Sequence, residues 1–358
     1  MEAIHVELGA NSYDITIEKG LLGRVGPLVK KLTGNARVAI ITDTIVDALY
    51  TEPLLQSLAA AGIEGKSIVF PAGEASKNLA VLGKVYDELT DLGLTRSDVI
   101  ITLGGGVPGD LGGFAAATYL RGIPFIQIPT TLLAQVDSSV GGKVAIDLPG
   151  GKNLAGSFYQ PKAVFIDPDL LRSLPARTVH EGLAEVIKYG CIRDEQLFEL
   201  FERCSGDQDL SALWERIIRD CCTIKARIVE RDEHDFGERM LLNFGHTIGH
   251  AAERYYGFGT YSHGEAVGAG MAMITAQSER LSMTEPGTAQ RIEAVLKKFD
   301  LPVYVDAPPT ALAANIGHDK KKRGSSVTLI LLKKIGQAYG HAVSADNLLH
   351  YIPEGARS

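Results

Sequence analysis

The sequence predicts an α/β N-terminal domain with a mostly parallel sheet, followed by a mainly α-helical C-terminal domain. Three observations carry that prediction. Short β-branched runs alternate with helical stretches in the first half, a glycine-rich turn follows one of those runs, and helical apolar spacing takes over after about residue 176. A length of 358 residues suits two domains, 1–176 and 177–358, and proline punctuates the chain between them at Leu174-Pro175-Ala176. A ligand is expected in the cleft between such domains.

Taken in order, Arg37–Thr42 and Asp98–Leu103 read as parallel strands buried on both faces, because their apolar residues run on without alternation. Phe125–Ile128 and Ala163–Asp167 read the same way, and Leu79–Leu92 reads as a helix between strands. Farther on, Thr178–Phe201, Ser211–Arg231, Arg239–Tyr255 and Gly264–Leu281 have helical spacing. No repeat or low-complexity linker interrupts them.

Composition narrows the function. A hydrophobic share of 45% and a charged share of 22% are those of a soluble globular protein. A net charge of −7 gives no reason to expect nucleic acid or an anionic membrane as partner. No run of 18 apolar residues occurs, so no transmembrane helix is expected, and Met1-Glu-Ala-Ile-His5 does not open a signal peptide. Cys191, Cys204, Cys221 and Cys222 form no Cys-x-x-Cys pair, which fits a reduced, cytoplasmic setting.

The most informative string is Asn243-Phe-Gly-His-Thr-Ile-Gly-His250, followed by Ser262-His-Gly-Glu265. His246 and His250, four residues apart, share one face of a helix and could gather a divalent metal. The plain alternative is a solvated pair. Thr247 stands where a metalloprotease carries its glutamate, so peptide hydrolysis is disfavoured. Glu185 and Lys188, in Gly182–Gly190, also share a helical face. An exposed ion pair is the simple explanation, but Leu183, Ala184, Val186 and Ile187 around them point to a buried helix. Burying both charges without a ligand is costly, which makes Glu185 a candidate third ligand.

Gly104-Gly-Gly-Val-Pro-Gly-Asp110 follows a strand and precedes a helix. Gly104, Gly106 and Gly109 fit the G-x-G-x-x-G spacing of a Rossmann-like diphosphate turn, whose backbone N–H groups approach the ligand at a helix N-terminus. The turn lies about 100 residues into the chain, and no acidic residue follows at the usual distance to hold a ribose. Asp43, ending an earlier strand, could take that role or could equally cap a helix. After the next strand, Pro129–Lys143 carries two Thr, one Asp, two Ser and one Lys, where ligands of open α/β sheets sit. Gly150-Gly-Lys152-Asn153 adds a second lysine. Lys225, Arg239, Arg121 and the run Asp319-Lys-Lys-Lys-Arg323 supply further cations. Singly these are surface groups; converging, they would bind a ligand with more than one anionic group.

Gly104–Gly122, Ile128–Lys143, Gly182–Gly190 and Leu242–His250 together resemble the signatures of the 3-dehydroquinate synthase family, and the likeness runs in order over nearly the whole chain. Pro108 stands where an aliphatic residue is usual, a position Pro tolerates in a first helical turn. The string Val136-Asp-Ser-Ser-Val-Gly-Gly-Lys143 favours this family over related sugar-phosphate cyclases that make deoxy-inosose or valiolone products.

The resemblance implies an NAD-dependent, zinc- or cobalt-dependent enzyme of the shikimate pathway. It would convert 3-deoxy-D-arabino-heptulosonate 7-phosphate to 3-dehydroquinate and phosphate. The steps would be transient oxidation, phosphate elimination, re-reduction and intramolecular aldol closure. It implies Glu185, His246 and His263 as metal ligands and moves His250 to the substrate's phosphate, against the His246–His250 pairing read from spacing. Substrate positions would be Asp137, Lys143, Asn153, Lys188, Lys225, Arg239, Asn243 and one of Lys320 and Lys321. Arg121 would reach the neighbouring subunit of a homodimer. Cofactor positions would be Asp43, Glu74, Lys77, Gly105, Gly106, Asp110, Thr130, Thr131 and Lys152, with Lys143 beside them. Three rivals remain: another sugar-phosphate cyclase; a metal-dependent polyol dehydrogenase, which would need no clamp for two anions and would accumulate NADH; and a non-catalytic NAD-binding sensor, which the full set of polar motifs disfavours.

Overall fold

The computed structural model describes residues 2–257, 259–320 and 326–353. The chain divides into two compact units, Met1–Leu174 with Ile218–His234, and Pro175–Ile217 with Asp235–Ser358. The first break lies two residues from the expected boundary at 176, but 218–234 returns to the first unit. The reason is local. Most of helix Trp214–Arg231 belongs to the first unit. There Cys222 Sγ meets the Gln135 carbonyl oxygen at 3.2 Å, and Lys225 Nζ donates to the Asp137 carbonyl at 2.6 Å.

The first unit is a seven-stranded sheet built from β1 (Glu2–Val6), β2 (Tyr13–Ile17), β3 (Val38–Asp43), β4 (Gly65–Phe70), β5 (Val99–Gly104), β6 (Phe125–Pro129) and β9 (Ala163–Ile166). Between β6 and β9 the chain makes an antiparallel hairpin of β7 (Lys143–Leu148) and β8 (Gly151–Phe158). The sheet order is β1-β2-β9-β6-β5-β3-β4, parallel throughout except at β1/β2. Strand alternation explains why the four expected strands lack an exposed face. Val38, Ile40, Val99, Ile101 and Ile126 feed one core; Ala39, Ile41, Ile100 and Phe125 feed another. The helix Gly106–Thr118 starts two residues after β5 ends, so the glycine turn is a strand-to-helix turn at the carboxyl edge of the sheet. Gly104 is needed there: a Cβ would lie 2.4 Å from Pro108 Cγ.

The second unit is mainly helical, with breaks that periodicity did not reveal. Thr178–Phe201 is two helices, Ala176–Arg193 and Glu195–Arg203. Asp194 leaves helical geometry at φ −140°, and its carboxylate caps the second helix through Gln196 and Leu197 N–H. Arg239–Tyr255 is likewise a short 3₁₀ turn, Glu238–Asn243, and the helix His246–Tyr256, parted at Gly245 with φ 79°. Helices His263–Arg280, Thr288–Lys298 and Pro309–Lys320 follow, then a hairpin of β10 (Ser326–Lys334) and β11 (Gln337–Ser344). The hairpin turn docks through Gly336 N–H on the Cys191 carbonyl, at 2.8 Å. Among the described residues no helix is long and apolar enough to cross a membrane. All four cysteines are buried thiols.

Candidate functional site

In the second unit three helices bring Glu185, His246 and His263 together, with one donor atom of each within 4.8 Å of the others. Close backbone approach at glycines makes this possible. A Cβ at Gly264 would lie 2.2 Å from the Glu181 carbonyl oxygen, so the start of helix His263–Arg280 abuts the helix that carries Glu185. A Cβ at Gly270 would lie 2.1 Å from the Gly245 oxygen, which sets the helix beginning at His246 against the same neighbour. Ser262 and Glu265 form a capping box around His263, and Arg177 holds Glu265 with two contacts of 2.8 Å.

Glu185 and Lys188 are 0% and 1% exposed, so the buried-helix expectation stands and their ion pair is fully enclosed. Glu185 Oε1 faces His246 Nε2 at 3.4 Å and His263 Nε2 at 3.3 Å. Beyond these ion pairs neither Glu185 oxygen accepts a hydrogen bond. A buried carboxylate facing two imidazole nitrogens is the donor set of a divalent transition metal. His246 Nδ1 donates to the Phe244 carbonyl at 3.1 Å, which turns Nε2 toward Glu185. Burial pushes His246 down to about 3, so it is the neutral imidazole a metal requires. Burial works against the Glu185 charge too, yet Lys188 and then His246 hold its carboxyl well below the usual range. Against the same burial, the carboxylates of Glu185 and Glu253 lift His263 to about 9.

The ring of His250 lies 5.2 Å from that of His246 and 5.8 Å from that of His263, but its side chain is exposed. Buried Glu253, which the sequence reading missed, has an oxygen 3.9 Å from His263 Nδ1. The signal was present: Glu253 is seven residues after His246 and three after His250, on the same helical face. Arg239 is 2% exposed in the 3₁₀ turn, and Asn243 is exposed at its end. Lys320 closes its helix, and Lys321 lies outside the described residues.

In the first unit the glycine turn has room. A Cβ at Gly106 would find Ser138 Oγ, at 3.8 Å, as its nearest neighbour, whereas one at Gly105 would press Thr131 Cγ2 at 3.0 Å. Thr130 N–H donates to the Gly104 carbonyl at 2.9 Å, joining the two threonines to the turn. Asp43 does cap a helix, its Oδ1 accepting from Ile45 and Val46 N–H at 2.9 and 3.0 Å. Lys77 is buried among Glu74 at 3.1 Å, Asp110 at 3.2 Å and Asp147 at 3.7 Å. Burial works against its charge, but Asp110, Glu74 and Asp147 raise its pKa above the ordinary value. Burial pushes Asp110 up to about 6 in spite of that ammonium. Lys225 is ion-paired to Asp137, while Lys143 is exposed and Lys152 half-buried on the β7–β8 hairpin. Arg121 is exposed on a loop with Leu120, Arg121 and Gly122 at φ 52°, 67° and 118°. Arg96 Nε donates to the Leu120 carbonyl at 2.9 Å and holds that loop.

A parallel sheet with a glycine turn, joined in one chain to a mainly helical unit, is the architecture of the sugar-phosphate cyclases. A solved 2-epi-5-epi-valiolone synthase from Streptomyces hygroscopicus, with NAD+ and Zn2+ bound, superposes with a TM-score of 0.87 at 27% identity over 96% of each chain. A 2-deoxy-scyllo-inosose synthase in complex with carbaglucose-6-phosphate, NAD+ and Co2+ has a TM-score of 0.86 at 24% identity, covering 98% of this chain and 99% of that one. Residues 67–181 match the 3-dehydroquinate synthase N-terminal model and 182–322 the C-terminal model. The 3-dehydroquinate synthase of Clostridium acetobutylicum is 49% identical over 353 residues, 98% of this chain and 99% of that one. The chain belongs to the 3-dehydroquinate synthase family.

Proposed function

We propose that the protein converts 3-deoxy-D-arabino-heptulosonate 7-phosphate to 3-dehydroquinate and phosphate, using NAD and a divalent metal in a cycle with no net redox change. The observation that carries this reading is the buried Glu185 carboxylate facing two imidazole Nε2 atoms, in a chain of this family. When bound, the metal acidifies a hydroxyl that it chelates, and NAD takes and returns a hydride.

The chain's own residues bind and orient. Glu185, His246 and His263 hold the metal. Gly105, Gly106, Thr130, Thr131, Lys77, Asp110 and Lys152 hold the cofactor, supported by the open space beside Gly106 and the strand-to-helix turn. Asp43 joins them, with Glu74 beside Lys77. Lys143, Lys188, Lys225, Arg239, Asn153, Asn243, Asp137 and His250 orient the substrate, joined by Lys320 or Lys321. That many cations suit a ligand with both a carboxylate and a phosphate. Fixing both ends lowers the entropic cost of elimination and ring closure. The substrate's own phosphate is the proposed proton acceptor. The strained Arg121 loop supports its use on a second subunit's phosphate site in a homodimer.

The test is phosphate release from the heptulosonate phosphate with NAD and metal added or withheld. Phosphate should accumulate linearly with catalytic NAD and no rise in NADH absorbance. One NADH per phosphate would make the protein a dehydrogenase instead.

A further inference from the structure

Asp147 belongs to no motif and interrupts the β7–β8 ladder. Ile146 pairs with Ala155 and Leu148 with Gly151, so three residues of β8 oppose Asp147 alone. An irregularity of this kind re-aims the side chain it carries. Asp147 instead bridges to Asn78, and its N–H donates to the Lys77 carbonyl at 2.8 Å. Its Oδ1 accepts the Asn153 N–H at 2.8 Å and lies 3.7 Å from Lys77 Nζ. Asn153 stands at φ 55°, in the left-handed region that Asn adopts more readily than most residues with a side chain but less readily than Gly. In that conformation its Oδ1 accepts from Lys77 Nζ at 2.8 Å.

We propose that Asp147 is a positioning residue, which holds Asn153 in its left-handed conformation and so fixes Lys77 and Asn153 as one unit for the cofactor site. The proposal rests on Lys77 serving the cofactor, as argued above. The juxtaposition couples a residue assigned to NAD with one assigned to the substrate. The carboxylate does so through the Asn153 N–H, with a longer ion pair to Lys77 beside it.

Calorimetric titration of NAD into the full-length protein tests it. Asp147→Ala should weaken NAD binding about tenfold, the worth of one charge-assisted hydrogen bond. Asn153→Gly adopts positive φ without help. In that background Asp147→Ala should cost about threefold or less, a clear failure of additivity. Asp147→Asn keeps an oxygen acceptor and should bind NAD more tightly than the alanine variant; it decides the matter if that variant does not fold. Equal affinity of wild type and Asp147→Ala overturns the proposal. So does an equal loss in both backgrounds, or an asparagine variant as weak as the alanine one. Wild-type protein that binds no NAD would overturn the cofactor reading itself, a distinguishable result.

Discussion

The buried Glu185 carboxylate makes the sharpest residue-level prediction. A carboxylate that is 0% exposed and faces two imidazoles has stability to gain from a cation. Glu185→Ala, His246→Ala and His263→Ala should each lose bound metal and turnover together, by at least about tenfold in affinity. His250→Ala should keep its metal and lose activity. Metal analysis of purified variants separates the two outcomes, and a His263→Ala protein with full occupancy would remove His263 from the ligand set. At the glycine turn, Gly106→Val has room in the fold itself, since Ser138 Oγ is 3.8 Å from the Cβ position. It should therefore stay folded and weaken NAD binding more than about tenfold, because a side chain would stand where backbone must approach the diphosphate. An unchanged dissociation constant would count against the cradle.

Between elements, glycines and one arginine fork set the spacing. Gly245→Ala would force a Cβ to 2.5 Å from Met271 Cγ and 2.6 Å from the Val267 oxygen, at a φ of 79°. A loss of about 2–4 kcal/mol is expected in denaturant unfolding, with weaker metal binding because His246 follows directly. Arg291 grips Glu202 through Nε and Nη2, both at 2.8 Å, and ties helix Thr288–Lys298 to Glu195–Arg203. That fork lowers the Glu202 pKa from its ordinary 4.5. A depressed folded-state pKa gives stability that is present above the unfolded value and lost as pH falls through the folded one. Glu202→Gln should therefore be about 1 kcal/mol less stable than wild type at pH 7, the pair being partly exposed. The gap should close as the pH drops below 4.5. A gap that stays constant down to pH 3 would show that packing, and no charge, is at work.

For the whole molecule, assembly is the open prediction. Leu120 and Arg121 hold positive φ at a cost of about 1 kcal/mol or more each, and Arg96 pins the loop. The proposed homodimer gives this loop a task, with Arg121 acting on the partner. Arg121→Ala should lower turnover while leaving NAD affinity unchanged. Sedimentation should show a dimer, and a fully active monomer would sink the assignment.

The sequence alone determined the buried parallel strands, the strand–glycine–helix turn, the helical character of the second half and the family. Each is written in local pattern: unbroken apolar runs, glycine spacing, and long motifs in order. It also carried the burial of Glu185 and Lys188, because Leu183, Ala184, Val186 and Ile187 leave no polar face around them. Other features came only from tertiary structure. The return of 218–234 to the first unit depends on what Cys222 and Lys225 touch, and helical periodicity says nothing of partners. The hairpins β7–β8 and β10–β11 depend on register between strands, a non-local quantity. The candidate donor atoms tell the same story: spacing paired His246 with His250, and only the packing at Gly264 brings His263 to Glu185. Which groups meet is decided by how closely helices can pack, and periodicity within one helix carries no record of that distance.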